Sequence, residues 1–247
     1  MTQLSVNLNK IALLRNARGE GKPDLLRAAH TVIDAGAAGI TVHPRPDQRH
    51  VRPADVRQLA ALCRTRGVEF NVEGNPFNPA QGDYPGFIAL VLETRPDQVT
   101  LVPDADAQLT SDHGFGPGDA AALAPLLATL KAAVSRVSLF VDAGETTLAP
   151  LAAAGADRVE IYTGPYAKAF TTGDWAHALA ACVDTARAAE RCGMGVNAGH
   201  DLNQANLPPL CDAMPFLSEV SIGHALVEDA LYCGLTATVA GYLRALD

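Results

Sequence analysis

Gly39-Ile40-Thr41-Val42-His43-Pro44-Arg45-Pro46-Asp47-Gln48-Arg49-His50 opens as an apolar, β-branched run and stops at a histidine. Pro44 and Pro46 lock φ and remove backbone donors, so neither helix nor sheet ladder continues past His43. The turn that follows carries two arginines and a second histidine. Helical spacing then takes over at 53–66, opened by Pro53 and closed by Gly67, a residue suited to a left-handed C′ position. Strand, polar loop and helix make one βα unit, with its chemistry on the turn after the strand.

The unit recurs. Apolar runs at 4–7, 39–43, 69–73, 98–102, 136–142, 158–163, 195–200 and 219–224 alternate with helical patterns, clear at 23–34, 53–66, 119–134, 176–191 and 227–246. Gly36, Gly67, Gly155 and Gly193 punctuate helix ends, and Pro23 and Pro53 are expected in first turns. Mean spacing is roughly thirty residues, the size of a βα unit. The strands read as nearly continuously apolar, as in a parallel sheet covered on its outside. The fold expected is α/β, a (β/α)8 TIM barrel with long loops at its C-terminal face, residues 1–247 forming a single catalytic domain. An open doubly wound sheet is the alternative. It would want a glycine-rich first βα turn, which Asn7-Leu8-Asn9-Lys10 is not.

At 247 residues and 48% hydrophobic content the chain can bury a sizeable core. It contains no run of eighteen apolar residues, and Met1-Thr2-Gln3-Leu4 does not begin a signal peptide, so no membrane association is expected. Cys63, Cys182, Cys192, Cys211 and Cys233 form no CxxC pair and fit reduced thiols in a cytoplasm. The net charge of −8 argues against a nucleic-acid partner. Yet residues 1–66 hold eleven Lys/Arg against five Asp/Glu, and the remainder eight against twenty-two. One cationic region on an acidic body suits small anionic ligands drawn into a cleft.

Strand ends carry the candidate groups: Asn7, His43, Glu73, Thr100 with Pro103, Asp142, Glu160 with Thr163, Asn197 with His200, and Gly223 with His224. Ionisable groups read as sparse at the strand starts. In a barrel these ends share one mouth. The connections 74–86, 104–118 and 164–174 are expected as long loops and candidate lids. His43, His50, His113, His200 and His224 lie at strand ends or in the loops after them, whereas His30 and His177 fall in helices. Imidazole works in both directions near neutrality, and a carboxylate such as Glu73 joins it if burial raises its pKa. Glycines before His200 and His224 let backbone approach an anion where barrels commonly seat phosphate. Arg18 and Arg45 could grip phosphate oxygens bidentately. No HExxH, HxH or GxGxxG occurs, so neither metal nor nucleotide cofactor is expected. The inventory suggests cofactor-free acid–base chemistry on phosphorylated carbonyl compounds. A sugar-phosphate isomerase or aldolase barrel, with Lys10 as a Schiff-base lysine, would use the same groups. So would a phosphate-ligand-binding barrel without activity.

Several ordered segments resemble the pyridoxine 5′-phosphate synthase family of vitamin B6 biosynthesis. They are Val6-Asn7, Leu14-Arg15-Asn16-Ala17-Arg18-Gly19, Gly39-Ile40-Thr41-Val42-His43 with Arg45 and Arg49-His50, Leu101-Val102-Pro103, Val137-Ser138-Leu139-Phe140-Val141-Asp142, Tyr162-Thr163-Gly164, Val196-Asn197-Ala198-Gly199-His200 and Ile222-Gly223-His224-Ala225. The resemblance implies a (β/α)8 barrel assembled as a homo-octamer. It implies a transferase that condenses 3-amino-2-oxopropyl phosphate with 1-deoxy-D-xylulose 5-phosphate to give pyridoxine 5′-phosphate, phosphate and water. On it, His43 and Glu73 are proton acceptors, His200 a proton donor, and Glu160 stabilises a transition state. Asn7, Arg18, Asp201, Gly223 and His224 then contact the aminoketone phosphate, and Asn9, Lys10, Arg45, His50 and Thr110 the pentulose phosphate. Asn9-Lys10 replaces the family's commoner Asp-His, and Asp201 stands where glycine is common.

Overall fold

Every strand pairs in parallel with its sequence neighbours, and the first closes onto the last. The computed structural model describes residues 1–105 and 108–247. Asp106 and Ala107, inside the connection expected as a lid at 104–118, lie outside them. The chain runs β1 (Gln3–Asn7), α1 (Asn9–Asn16), α2 (Leu25–Asp34), β2 (Gly39–Val42), α3 (Pro53–Arg66), β3 (Glu69–Gly74), α4 (Phe87–Thr94) and β4 (Gln98–Leu101). It continues through a 3-10 turn (Pro117–Asp119), α5 (Ala120–Lys131), β5 (Arg136–Asp142), α6 (Ala149–Ala154), β6 (Arg158–Tyr162), α7 (Gly164–Thr172) and α8 (Ala176–Arg191). β7 (Gly195–Gly199), α9 (Leu207–Ala213), β8 (Glu219–Ile222), α10 (His224–Cys233) and α11 (Leu235–Ala245) complete it. The sheet is a closed barrel in the order β1 to β8, with Val6 beside Ile40 on one side and Ile222 on the other. The (β/α)8 expectation holds, and the open sheet is excluded.

Where the apolar and polar side chains go differs from the expectation. The strands alternate, with one face of Leu4, Val6, Ile40, Val42, Phe70, Val72, Val99 and Leu101 buried in the hydrophobic core. The other face is polar, and its partners lie across the barrel. Thr100 Oγ1 donates to Glu160 Oε2 at 3.5 Å, Ser221 Oγ to Glu73 Oε1 at 3.4 Å, and Gln98 Nε2 to Glu219 Oε1 at 3.5 Å. The greasy core therefore lies between sheet and helices, and the barrel axis is a hydrogen-bonded polar stack. Period-two alternation explains this: residues i and i+2 share a face, so polar Glu69, Asn71 and Glu73 all point the same way. Most buried polar atoms there satisfy one another, with Glu69 Oε1 and Ser138 Oγ exceptions among the described residues.

The strand starts are not poor in ionisable groups, contrary to expectation. Arg136 pairs with Glu69 and donates to Gln98 Oε1 at 2.8 Å, while Arg158 donates to Asn197 Oδ1 at 2.9 Å and lies 3.7 Å from Glu219. Because the axis is polar, its closed end needs matched charges, and β3, β5, β6 and β8 supply them.

Helix boundaries also shift. Pro23 precedes α2 rather than sitting in its first turn; Asp24 caps that helix by accepting from the Arg27 N–H at 2.9 Å. The helical stretch read at 119–134 is Ala120–Lys131 behind a 3-10 turn. The one read at 227–246 is two helices broken at Gly234, φ 79° and ψ 147°. The connection 164–174, expected as a loop, is mostly α7. The 74–86 connection stays irregular, folded back on itself by backbone hydrogen bonds between Gln81 and Tyr84. No helix among the described residues is long and apolar enough to cross a membrane.

Candidate active site

At the C-terminal ends of the strands lies a cavity of about 420 Å³. β2 delivers His43, β3 Glu73, β6 Glu160 and β7 His200 to this one space. Asn7, Asn9 and Lys10 reach it from β1 and the start of α1, and Arg45 and His50 from the proline-braced turn. Thr110 enters from the loop after β4, and Asp201, Gly223 and His224 complete the rim. Of the residues given catalytic or substrate-binding roles, Arg18 does not line this space. Its side chain is 81% exposed and paired with Glu20 at 3.1 Å. Of the expected strand-end groups, Pro103, Asp142, Thr163 and Asn197 do not line it either, Asn197 pairing with Arg158 at the other end.

The turn after β2 is held from outside. Arg15 grips Asp55 with two nitrogens, at 2.5 and 2.9 Å, and donates to the His50 carbonyl at 3.1 Å. Asn16 donates to the Arg49 and His50 carbonyls at 3.0 and 2.8 Å. The segment Leu14 to Gly19 thus does part of its work as a brace. On the rim side, the His43 backbone N–H donates to Asn9 Oδ1 at 2.9 Å, and the Asn9 N–H donates to Asn7 Oδ1 at 3.0 Å. Asn9 therefore anchors the end of β2 through its side-chain oxygen.

Electrostatics divide the candidate acid–base groups. Burial, then the Arg45, His50 and Arg49 charges, hold His43 well below its ordinary range, so its imidazole is neutral at neutral pH. Burial, then Arg45 and Arg49, bring His50 down to about 4; its Nδ1 accepts the Val51 N–H at 2.9 Å, which leaves any ring proton on Nε2. Glu73 moves the other way. Burial and the neighbouring Asp104 carboxylate push it up to about 8, against opposing help from Ser221 and Arg45. Burial and then Glu73 raise Glu160 well above the usual carboxylate range. At neutral pH the mouth therefore holds a neutral imidazole beside a carboxyl group that keeps its proton, a pairing able to take one proton and give another.

His200 sits on the far side. Its Nε2 lies 2.9 Å from Thr110 Oγ1, its Nδ1 2.9 Å from Asp201 Oδ2, and Tyr162 stacks edge-on at 5.0 Å between ring centres. His200 and Asp201 take positive φ, 84° and 59°, an uncommon conformation for residues with side chains. Thr163 Oγ1 lies 2.6 Å from both the Gly199 and His200 carbonyls and steadies that turn. At β8, Gly223 precedes α10, so the backbone N–H groups at the start of that helix lie at the rim where Gly223 and His224 line the cavity.

Asp104 was not among the expected groups. It is 4% exposed, pairs with Arg45, and lies 3.5 Å from His43 Nε2. It stands two residues past Val102, where the expected strand end was read only as far as Pro103; reading every acid just beyond a strand end would have found it. Thr100, one of the expected strand-end groups, holds Glu160, whereas Ser221, which holds Glu73, was visible only as an ordinary strand residue. Among the described residues no group of three or more His, Cys, Asp and Glu side chains is placed to hold a metal ion.

Closed barrel, polar axis and acid–base mouth with a helix N-terminus at its rim define a (β/α)8 enzyme built for small anionic substrates. Solved structures agree on the fold: tryptophan synthase from M. tuberculosis superposes with a TM-score of 0.67 at 16% identity, covering 99% of this chain and 92% of that one. Thiamine phosphate pyrophosphorylase from Pyrococcus furiosus gives 0.59 at 13%, covering 99% and 95%. The family description "Pyridoxal phosphate biosynthesis protein PdxJ" matches residues 4–247. Pyridoxine 5′-phosphate synthase of Xanthomonas oryzae pv. oryzae (strain PXO99A) is 60% identical over 246 residues, 99% of this chain and 96% of that protein. The Xylella fastidiosa (strain M23) enzyme of the same name is 57% identical over 251 residues, 100% and 95%. The chain belongs to the PdxJ family, and its activity is pyridoxine 5′-phosphate synthesis. The isomerase, aldolase and inactive-barrel readings fall away.

Proposed function

We propose that the mouth joins 3-amino-2-oxopropyl phosphate to 1-deoxy-D-xylulose 5-phosphate, releasing phosphate and water as the pyridine ring closes. The observation that carries this reading is the opening of His43, Glu73, Glu160 and His200 onto one cavity. Joining an amine to a ketone, expelling water and phosphate, and closing and dehydrating a ring all move protons at carbon and oxygen. Each well-placed acid or base is worth roughly 10²–10⁴-fold. His43, neutral, takes protons during condensation and ring closure. Glu73 begins protonated, gives its proton early and serves as acceptor afterwards. His200 protonates a leaving oxygen, and Glu160 stabilises charge in the transition state.

Two phosphates hold the substrates in register, which lowers the entropic part of the barrier. Asn7, Asp201, Gly223 and His224 take the aminoketone phosphate, with the start of α10 supplying backbone donors. Arg45, His50, Thr110, Asn9 and Lys10 take the pentulose phosphate. Arg18 would join the aminoketone phosphate only after the turn holding Gly19 and Gly21, both at positive φ, has swung inward. The whole of 1–247 acts as one catalytic domain, and it assembles as a homo-octamer that covers exposed apolar side chains such as Leu14, Leu231 and Tyr232. Five free cysteines support a cytoplasmic setting.

The test is incubation of the purified chain with both substrates, following pyridoxine 5′-phosphate by absorbance. Product from the pair, and none from either substrate alone, is expected. No product, or a borohydride-trapped adduct on Lys10, would sink the assignment of roles.

A further inference from the structure

Arg45 is buried, 5% exposed, and its ion-pair partner is the equally buried Asp104. The same carboxylate oxygen that meets Arg45 lies 3.5 Å from His43 Nε2 and accepts from Ser111 Oγ at 3.0 Å. On the opposite edge of the imidazole, Nδ1 lies 3.8 Å from Glu73 Oε2. His43 thus sits between two carboxyl groups, one per ring nitrogen. A neutral imidazole has one N–H and can donate to only one of them.

The two carboxyl groups are not equivalent. Burial raises the Asp104 carboxyl above its ordinary value, and the guanidinium and hydroxyl donor it faces, partners that suit an anion, oppose that rise. Among the described residues Glu73 has no cation in hydrogen-bond contact; it accepts from Asn7 Nδ2 at 3.3 Å and Ser221 Oγ at 3.4 Å, with the Asp104 and Glu219 carboxyl groups as neighbours. With the cation-paired carboxyl nearer, at 3.5 Å from Nε2, and the carboxyl without a cation farther, at 3.8 Å from Nδ1, the geometry favours one arrangement. The imidazole proton lies on Nε2, toward Asp104, and the lone pair on Nδ1, toward Glu73. Asp104 is itself fixed, because its backbone carbonyl accepts from Asn75 Nδ2 at 2.8 Å.

We propose that Asp104 is a positioning residue for pyridoxine 5′-phosphate synthesis, setting the tautomer of His43 so that Nδ1 is the basic nitrogen while locking the Arg45 guanidinium beside it. It acts through His43 and Arg45 and does not itself touch the reacting atoms. The inference rests on the role given to His43 above but is read out without substrate. A gap of about 10 Å³ beside His43, Arg45 and Asp104 has room for about one water and no phosphate group.

The full chain, labelled with ¹⁵N-histidine, gives the ring-nitrogen spectrum of His43, assigned by its loss in His43→Gln. In the unliganded wild type at neutral pH, the protonated nitrogen is expected to be Nε2. A proton on Nδ1 would overturn the proposal, and this arm needs no variant to fold. In Asp104→Asn the tautomer preference is expected to weaken, with kcat down by about 10²-fold and KM for the pentulose phosphate raised; Asp104→Glu should recover part of both. An unchanged His43 spectrum with unchanged kcat in Asp104→Asn would equally overturn it. Loss of kcat with a wild-type ring spectrum would mark Asp104 as structural only and also refute the tautomer claim.

Discussion

Gly199 carries no side chain, and the Glu160 carboxylate occupies the space a Cβ would need. Gly199→Ala should therefore displace that carboxylate, lowering kcat by at least about tenfold while costing roughly 1–3 kcal/mol of stability; steady-state kinetics and urea unfolding read both. His43→Ala and Glu73→Ala should each lose about 10²–10⁴-fold in kcat, and wild-type turnover in either would refute its role. Residue types were legible in the sequence because strand ends in a barrel converge, so His43, Glu73, Glu160 and His200 could be picked from four distant segments. Their protonation was not legible. That Glu73 holds a proton follows from burial and from Asp104, a neighbour thirty-one positions away that only the closed barrel supplies.

Elements were read well where side-chain period and end signals agreed, and α3 runs over the same residues as expected, ending at a left-handed Gly67. They were misread where a turn signal had two meanings. Gly164-Pro165 looks like a loop, yet proline in the first turn suits the opening of α7, and Tyr166 then ties that helix to the Asn206 carbonyl at 2.7 Å. Gly234 lies between two alanine-bearing helical patterns that read as one. Its φ of 79° with ψ of 147° is open in practice only to glycine. Gly234→Ala should consequently cost about 1–3 kcal/mol in urea unfolding without altering KM, because the break lies far along α10 from the rim. An unchanged midpoint would mean that the break between α10 and α11 is not fixed by the backbone.

Over the whole molecule, the count of eight βα units was plain in the spacing, and the polar axis was not. Apolar residues make up no more than half of β1, β3, β4 and β8, and the register of the closed sheet shows that the polar residues between them share one face and stack. That axis has a consequence for stability. The folded-state Glu73 binds its proton up to about pH 8, against an ordinary value of 4.5 when unfolded. A raised pKa means stability fully present below the unfolded value and lost as pH climbs through the folded one. Glu73→Gln lacks this loss, so its Tm relative to wild type should rise between about pH 5 and about pH 9, at about 2–4 °C per kcal/mol for a chain of this size. A Tm difference flat across that range would mean that Glu73 ionises freely in the barrel.

Titration of ¹⁵N-histidine-labelled chain with pyridoxine 5′-phosphate tests the shared mouth most directly. The ring signals of His43 and His200 should move together, along one saturation curve, as a single molecule fills the cavity. A ligand that saturates while only one of those rings responds would contradict the account.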